Sequence, residues 1–259
     1  MNLFELFVKI GADTTEANKG IDEVGNKTFG LGEKLKSGLA TAGKVAGATA
    51  IGALGTKAVA AYADYEQLVG GVETLFKDSQ DQVMDYANNA YKTAGLSANE
   101  YMETVTSFSA SLLQALDGDT SAAADKANLA ITDMSDNANK MGTDMTSIQN
   151  AYQGFVKANY TMLDNLKLGY GGTQAEMERL LADAEKISGI KYDISSYADI
   201  VDAIHVVQTE MGITGTTAEE AASTIQGSFG MMKSAWQNLV TGMADPDQDL
   251  GVLVGNFTD

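Results

Sequence analysis

Four times along this chain a hydroxyl residue stands three positions ahead of a carboxylate, just before a run of apolar residues at helical spacing. The pairs are Ser97 with Glu100, Thr173 with Glu176, Ser196 with Asp199 and Thr217 with Glu220. At that spacing the hydroxyl accepts one of the unpaired first-turn amides of a helix, and the carboxylate reaches back to another. Each pair predicts a helix start. Tyr101, Val105, Phe108 and Leu112 follow the first. Met177, Leu180, Leu181 and Ala184 follow the second, Ile200 to Met211 the third, and Ile225, Phe229, Met232, Trp236 and Leu239 the last. Such three-and-four spacing aligns apolar side chains on one helical face.

Other stripes extend the pattern. Tyr65, Leu68, Val72, Leu75 and Phe76 precede a cap expected at Asp78-Ser79, and Val83, Tyr86, Ala87 and Ala90 resume the helix until Gly95 stops it. Asp117-Gly118-Asp119 reads as a turn between helices. Ala127, Ile131, Met134, Ala138 and Met141 line the next helix, and Met145, Ile148, Tyr152 and Phe155 the one after. One proline in 259 residues favours uninterrupted helices over short strands joined by proline-rich turns. Near the start, Phe4, Leu6, Val8 and Ile10 alternate with Leu3, Glu5, Phe7 and Lys9 at strand period, and Asp13 with Glu16 then caps a helix. The expected fold is all-α: a multi-helix array of short amphipathic helices, with one short N-terminal strand and a Gly/Ala-rich helical segment. A lone strand cannot satisfy its own backbone, so Leu3 to Ile10 is expected to pair with another chain or a copy of itself, or to pack on its own helix.

Residues 38–63 are that Gly/Ala-rich segment. Gly43 and Gly47 form a G-x-x-x-G pair, with Ala42, Ala46 and Ala50 repeating the four-residue step beside it. Small residues on one seam let helix backbones approach closely, which makes these five residues the self-association candidates. Between Lys44 and Lys57 the uncharged run extends only from Val45 to Thr56, short of the roughly 20 residues a membrane span needs. Glycine weakens an isolated helix by about 1 kcal/mol relative to alanine, so the segment is expected to take its order from partners. Three regions result: 1–63, the strand, helix and association segment; 64–245, a helical core domain; and 246–259, the start of a further segment. The apolar run from Leu250 to Phe257 suggests a truncated continuation.

The chemistry is sparse. Cysteine is absent and His205 is the only histidine, so neither a Cys-based zinc site nor a His cluster can form, and no metal or cofactor is expected. His205 beside Val206 and Val207 reads as structural. Glu176 and Glu178 stand two apart and diverge on a helix. Gly169-Tyr170-Gly171-Gly172-Thr173 lacks the Lys-Ser/Thr of a phosphate loop and follows no strand, so it reads as a turn. Asp245-Pro246-Asp247-Gln248-Asp249 has Leu250 and Asn256 where a calcium loop needs Gly and Glu. No catalytic residues are assigned and an enzyme is not expected. Residues 1–60 hold seven Lys against six acids, a net +1, while residues 61–259 hold ten Lys plus Arg against 29 acids, a net −19. An acidic surface without clustered Lys and Arg repels nucleic acid. Met1 leads into Asn-Leu-Phe-Glu without the basic region and cleavage site of a secretory signal.

Asn159 to Leu181, most specifically Met162 to Thr173, resembles the core region of phage tail tape measure proteins. Similar likenesses appear at Phe7 to Thr15, in the Gly/Ala-rich segment, at Tyr65-Glu66 with Gly70 to Phe76, and from Ala235-Trp236-Gln237-Asn238-Leu239 through Asp245-Pro246-Asp247. The resemblance covers nearly the whole chain, as the amino-terminal and core part of such a protein. It implies a virion tail component, assembled in the host cytoplasm, that sets the length of a growing tail, fills the tube lumen and leaves ahead of the DNA. The implied partners are further copies of itself, tail tube and tail tip proteins and tail assembly chaperones, with no nucleic acid and membrane contact only during infection. The chain departs from the family in length. Even one unbroken helix of 259 residues would span only about 390 Å, so the chain is expected to be a folded head or core domain of a ruler, truncated or shortened. The competing readings are a membrane-active or membrane-anchored helical protein using residues 38–63, and a tail enzyme that cuts peptidoglycan.

Overall fold

The structure is a computed structural model that describes residues 48–223, 225–245 and 248–258. Ten α-helices are described: α1 (Ala48–Phe76), α2 (Gln80–Thr93), α3 (Ala98–Ala115), α4 (Thr120–Met141), α5 (Met145–Val156), α6 (Gln174–Ser188), α7 (Tyr197–Glu210), α8 (Thr216–Ser223), α9 (Ile225–Gly242) and α10 (Leu250–Thr258). Two short 3-10 turns, Lys77–Ser79 and Leu163–Leu166, interrupt them. The chain is helical throughout its regular structure, with no strand among the described residues. The expected strand from Leu3 to Ile10, the Asp13 cap and the final Pro246 lie outside the described residues.

The described residues group into two compact units, one within residues 68–234 and the other within residues 48–67 and 235–258. In the larger unit α4 is the hub, packing against α2, α3, α5, α7, α8 and both 3-10 turns, while α6 packs along α7. Its inward faces carry Ala123, Ala124, Ala127 and Ala130, all fully buried with Ile131 and Met134. Side chains this small let neighbouring helices come close, and the larger groups they bring fill the space: Tyr101, Val105, Phe108 and Leu112 of α3, Ile148 and Tyr152 of α5, Ile200, Val201 and Ile204 of α7. Phe108 meets Tyr197 edge-on at 6.1 Å between ring centroids.

Local chemistry sets most helix ends. Ser97 and Glu100 form the full capping box that starts α3. Asp119 accepts the amides of Ser121 and Ala122 to start α4, and Asp144 accepts that of Ser147 to start α5. Gly142 then ends α4 in the left-handed conformation at φ 61°. The Asp78-Ser79 cap is corrected: Ser79 makes no capping bond and instead meets Thr120 Oγ1 at 2.7 Å, while Lys77 turns the chain at φ 48°.

In the smaller unit, Ala58 of α1 and Ala244 are buried, with Tyr62, Val240 and Met243 packed against them. A Cβ on Gly242 would fall 2.2 Å from Leu253 Cδ1, so α9 meets α10 closely at this glycine, and a larger residue there would push the Leu253 side chain aside. Trp236, on the expected apolar stripe, is half-buried, whereas Ala235 and Leu239 are buried. Ile225 and Phe229 lie outside the described side chains.

Candidate functional site

The glycine turn between α5 and α6 is built from Asn159 outward. Asn159 Oδ1 accepts from the amide and hydroxyl of Thr161, holding a tight bend. Leu163 and Leu166 of the 3-10 turn are buried at 1% and 0% exposure, but Met162 is 40% exposed. Met162 therefore does not share the buried face of Leu163 and Leu166, because three residues per turn points it away from the two leucines. Asn165 donates to Ser147 O of α5. Lys167 Nζ donates to Met141 O and Gly142 O, placing a cation on the carbonyl end of α4.

The three glycines serve different purposes. Gly169 alone takes a left-handed φ, at 86°. Gly172 is needed for space, since a Cβ there would stand 2.3 Å from Thr161 O. At Gly171 the added atom would make ordinary contact with Glu176 Cγ at 3.5 Å.

Thr173 caps α6 by accepting the Glu176 amide, yet the capping box is only half formed. The Glu176 carboxylate accepts instead from Gly171 N at 2.9 Å and from Arg179 Nη2 at 2.6 Å. Arg179, the only arginine in the sequence, also donates to Gly169 O at 2.7 Å and lies 4.3 Å from the Tyr170 ring centre. One planar guanidinium thus ties both ends of the turn to the first turns of α6, which a point-charge ammonium could not do. The Arg179 contact holds the Glu176 carboxyl below its ordinary value. Burial and the bond to Asp183 push the Tyr170 phenol up to about 12.

A second polar constellation sits inside the larger unit, on the last turns of α4. Asp133, Asp136 and Asn137 are completely buried and Ser135 nearly so. Each holds a different element. His205 Nδ1 of α7 lies 2.9 Å and 3.0 Å from the two Asp133 oxygens. Ser135 donates to Ala94 O in the α2–α3 connection. Asp136 accepts the Gly215 and Thr217 amides at 2.6 Å and 2.8 Å, and Asn137 donates to Leu166 O. The expected Thr217–Glu220 capping box is thereby corrected: α8 begins at Thr216, and its cap comes from Asp136 on α4. Burial pushes the Asp133 carboxyl up against the opposing pull of His205, and the bond to Asp133 pushes the His205 imidazole up.

Sequence spacing placed His205 on a helix without its partner. Periodicity gave no signal: Asp133 stands about 120° around the helix from the centre of the Ala127–Ile131–Met134–Ala138–Met141 stripe, on a side that is buried only by the helices packed there. Of the self-association candidates, Gly43, Gly47, Ala42 and Ala46 lie outside the described residues, and Ala50 falls in α1 with its side chain outside them. Among the described residues no group of three or more His, Asp or Glu side chains could hold a metal ion, and no helix is long and apolar enough to cross a membrane. Comparison of the chain with protein-family models, curated proteins and solved structures finds no match.

Proposed function

We propose that this chain is a structural component of a phage or prophage tail, the amino-terminal and core part of a tape measure protein. Its partners on this reading are copies of itself, tail tube and tail tip proteins and tail assembly chaperones, and its place is the virion tail, assembled in the host cytoplasm. The observation that carries the reading is the Asn159–Leu181 stretch. Residues of this stretch are used in internal contacts: Gly172 beneath Thr161 O and Lys167 on the end of α4, both in the most family-like piece Met162 to Thr173, and Arg179 across the turn. Such a motif specifies shape, as a part that acts by occupying space and docking requires, and presents no nucleophile and base within reach of each other. The longest described helix has 29 residues and rises about 44 Å. The described part therefore acts as a folded module of a length-setting protein, not as the ruler itself.

The test is mass spectrometry of tail particles purified after prophage induction from the source strain, combined with the identity of the flanking genes. Peptides of this chain should co-purify with tail-tube subunits, and tail-tube and chaperone genes should flank its own. Particles free of the chain, or turnover of peptidoglycan by the purified protein, overturn the proposal.

A further inference from the structure

Helices α4 and α7 are joined by two ionic rungs of different kind. In the outer one Lys126 of α4 bonds Asp202 of α7, with both side chains partly exposed, at 21% and 38%. Such a partly solvated pair contributes little to stability. In the inner one the acceptor is Asp133, with 0% of its side chain exposed, and the donor is His205, 30% exposed. A carboxylate only accepts, so Nδ1 carries the proton of this contact, and the 30% of the His205 side chain that is exposed lets the ring exchange protons with solvent.

The groups facing this inner rung come from three helices. Asp136 and Lys126 stand on α4 itself, Asp202 on α7, and the buried Tyr152 on α5. Lys126 is engaged by Asp202, and the Asp136 oxygens are taken by the Gly215 and Thr217 amides. His205 is therefore the cation in contact with a carboxylate that water does not reach. Leaving such a carboxylate without its counter-charge is strongly unfavourable.

We propose that the α4–α7 contact is a proton-operated latch: with His205 charged, α7 is clamped to the central helix, and with His205 neutral, α7 and the 211–217 connection loosen while α2, α3 and α5 stay packed. No imidazole joins those three helices to α4, since His205 is the only histidine; beside the apolar core, α2 and α3 meet α4 through Gln82 and Tyr86 on Asp125 and Tyr101 on Asn128. The raised proton affinities of Asp133 and His205 agree in sign, since both favour the protonated folded state.

His205 is the only histidine, so a single imidazole signal in the nuclear magnetic resonance spectrum of the full chain reports the latch. That signal is followed from pH 5.5 to 9.5 (about four pH units around the imidazole range), together with amide exchange of α7 relative to α3, corrected for the intrinsic pH dependence. In the wild type, α7 protection should fall by about fivefold or more across the imidazole transition, the lower bound of ordinary coupling between sites, with α3 unchanged. His205→Gln should lock α7 at its alkaline protection at every pH. Asp133→Asn should return the imidazole to its ordinary range and abolish the pH dependence of α7. Should Asp133→Asn fail to fold, His205→Gln alone decides. Protection of α7 that ignores the imidazole transition, or that keeps its pH dependence in His205→Gln, overturns the latch.

Discussion

The carbonyl oxygen of Thr161 lies 2.3 Å from the position a Cβ would take on Gly172. Two stretches of chain eleven residues apart therefore pass each other at backbone distance, and the approach closes the turn between α5 and α6. Gly172→Ala should cost about 2–3 kcal/mol, as overpacking against backbone commonly does. Gly171→Ala, one residue away, meets only Glu176 Cγ at 3.5 Å and should stay within about 0.5 kcal/mol. Urea denaturation of both variants measures the difference. Equal effects would mean that the close approach does not exist.

Neighbours in the 3-10 turn should behave as differently. Leu163 is 1% exposed and Met162 40%. Leu163→Ala removes packed atoms and leaves a cavity, costing about 2–5 kcal/mol. Met162→Ala should cost less than about 1 kcal/mol. Thermal melts of the two variants check this ordering, and a larger loss at Met162 would contradict the burial difference.

Asp136 separates remote from local capping at α8. Its removal in Asp136→Ala leaves the Gly215 and Thr217 amides without their acceptor, at a cost of about 3 kcal/mol. Thr217→Ala deletes the γ-methyl and a hydroxyl at 3.3 Å from Ser135 Oγ but leaves the Thr217 amide on Asp136, and should cost less than about 1 kcal/mol. If the local Thr217–Glu220 box governed instead, chemical denaturation would show the reverse order.

Stability should fall as pH rises through the neutral range. The folded-state proton affinity of His205 is raised by its bond to Asp133. Its contribution is therefore full below the ordinary imidazole pKa of about 6.5 and disappears as pH climbs through the higher folded value. Urea midpoints should be lower at pH 9 (about two units above neutral) than at pH 6, a difference that His205→Gln removes. At the acid end the sign reverses: Glu176, Asp183 and Asp193 have lowered carboxyl values from Arg179, Lys186 and Ser195 respectively. Their contribution is present above the ordinary carboxylate range and is lost as pH falls toward the folded values, modestly, because all three are solvated.

The all-α character and most helix starts were legible in the sequence because their causes are local. Ser97 reaches Glu100 within one turn, and the stripe from Tyr101 to Leu112 is buried where its spacing put it. The glycine turn was legible as a turn but not in its reasons: positive φ explains Gly169, while Gly172 answers to a carbonyl eleven residues back. The bonds that organise the interior were out of reach. Asp136 caps amides 79 and 81 residues away, and Asp133 meets a histidine 72 residues on. Periodicity assigns a residue to a face of its own helix and carries no information about which distant face meets it. That pairing was decided only when the helices packed, because a buried carboxylate must find its donors wherever the packed chain brings them.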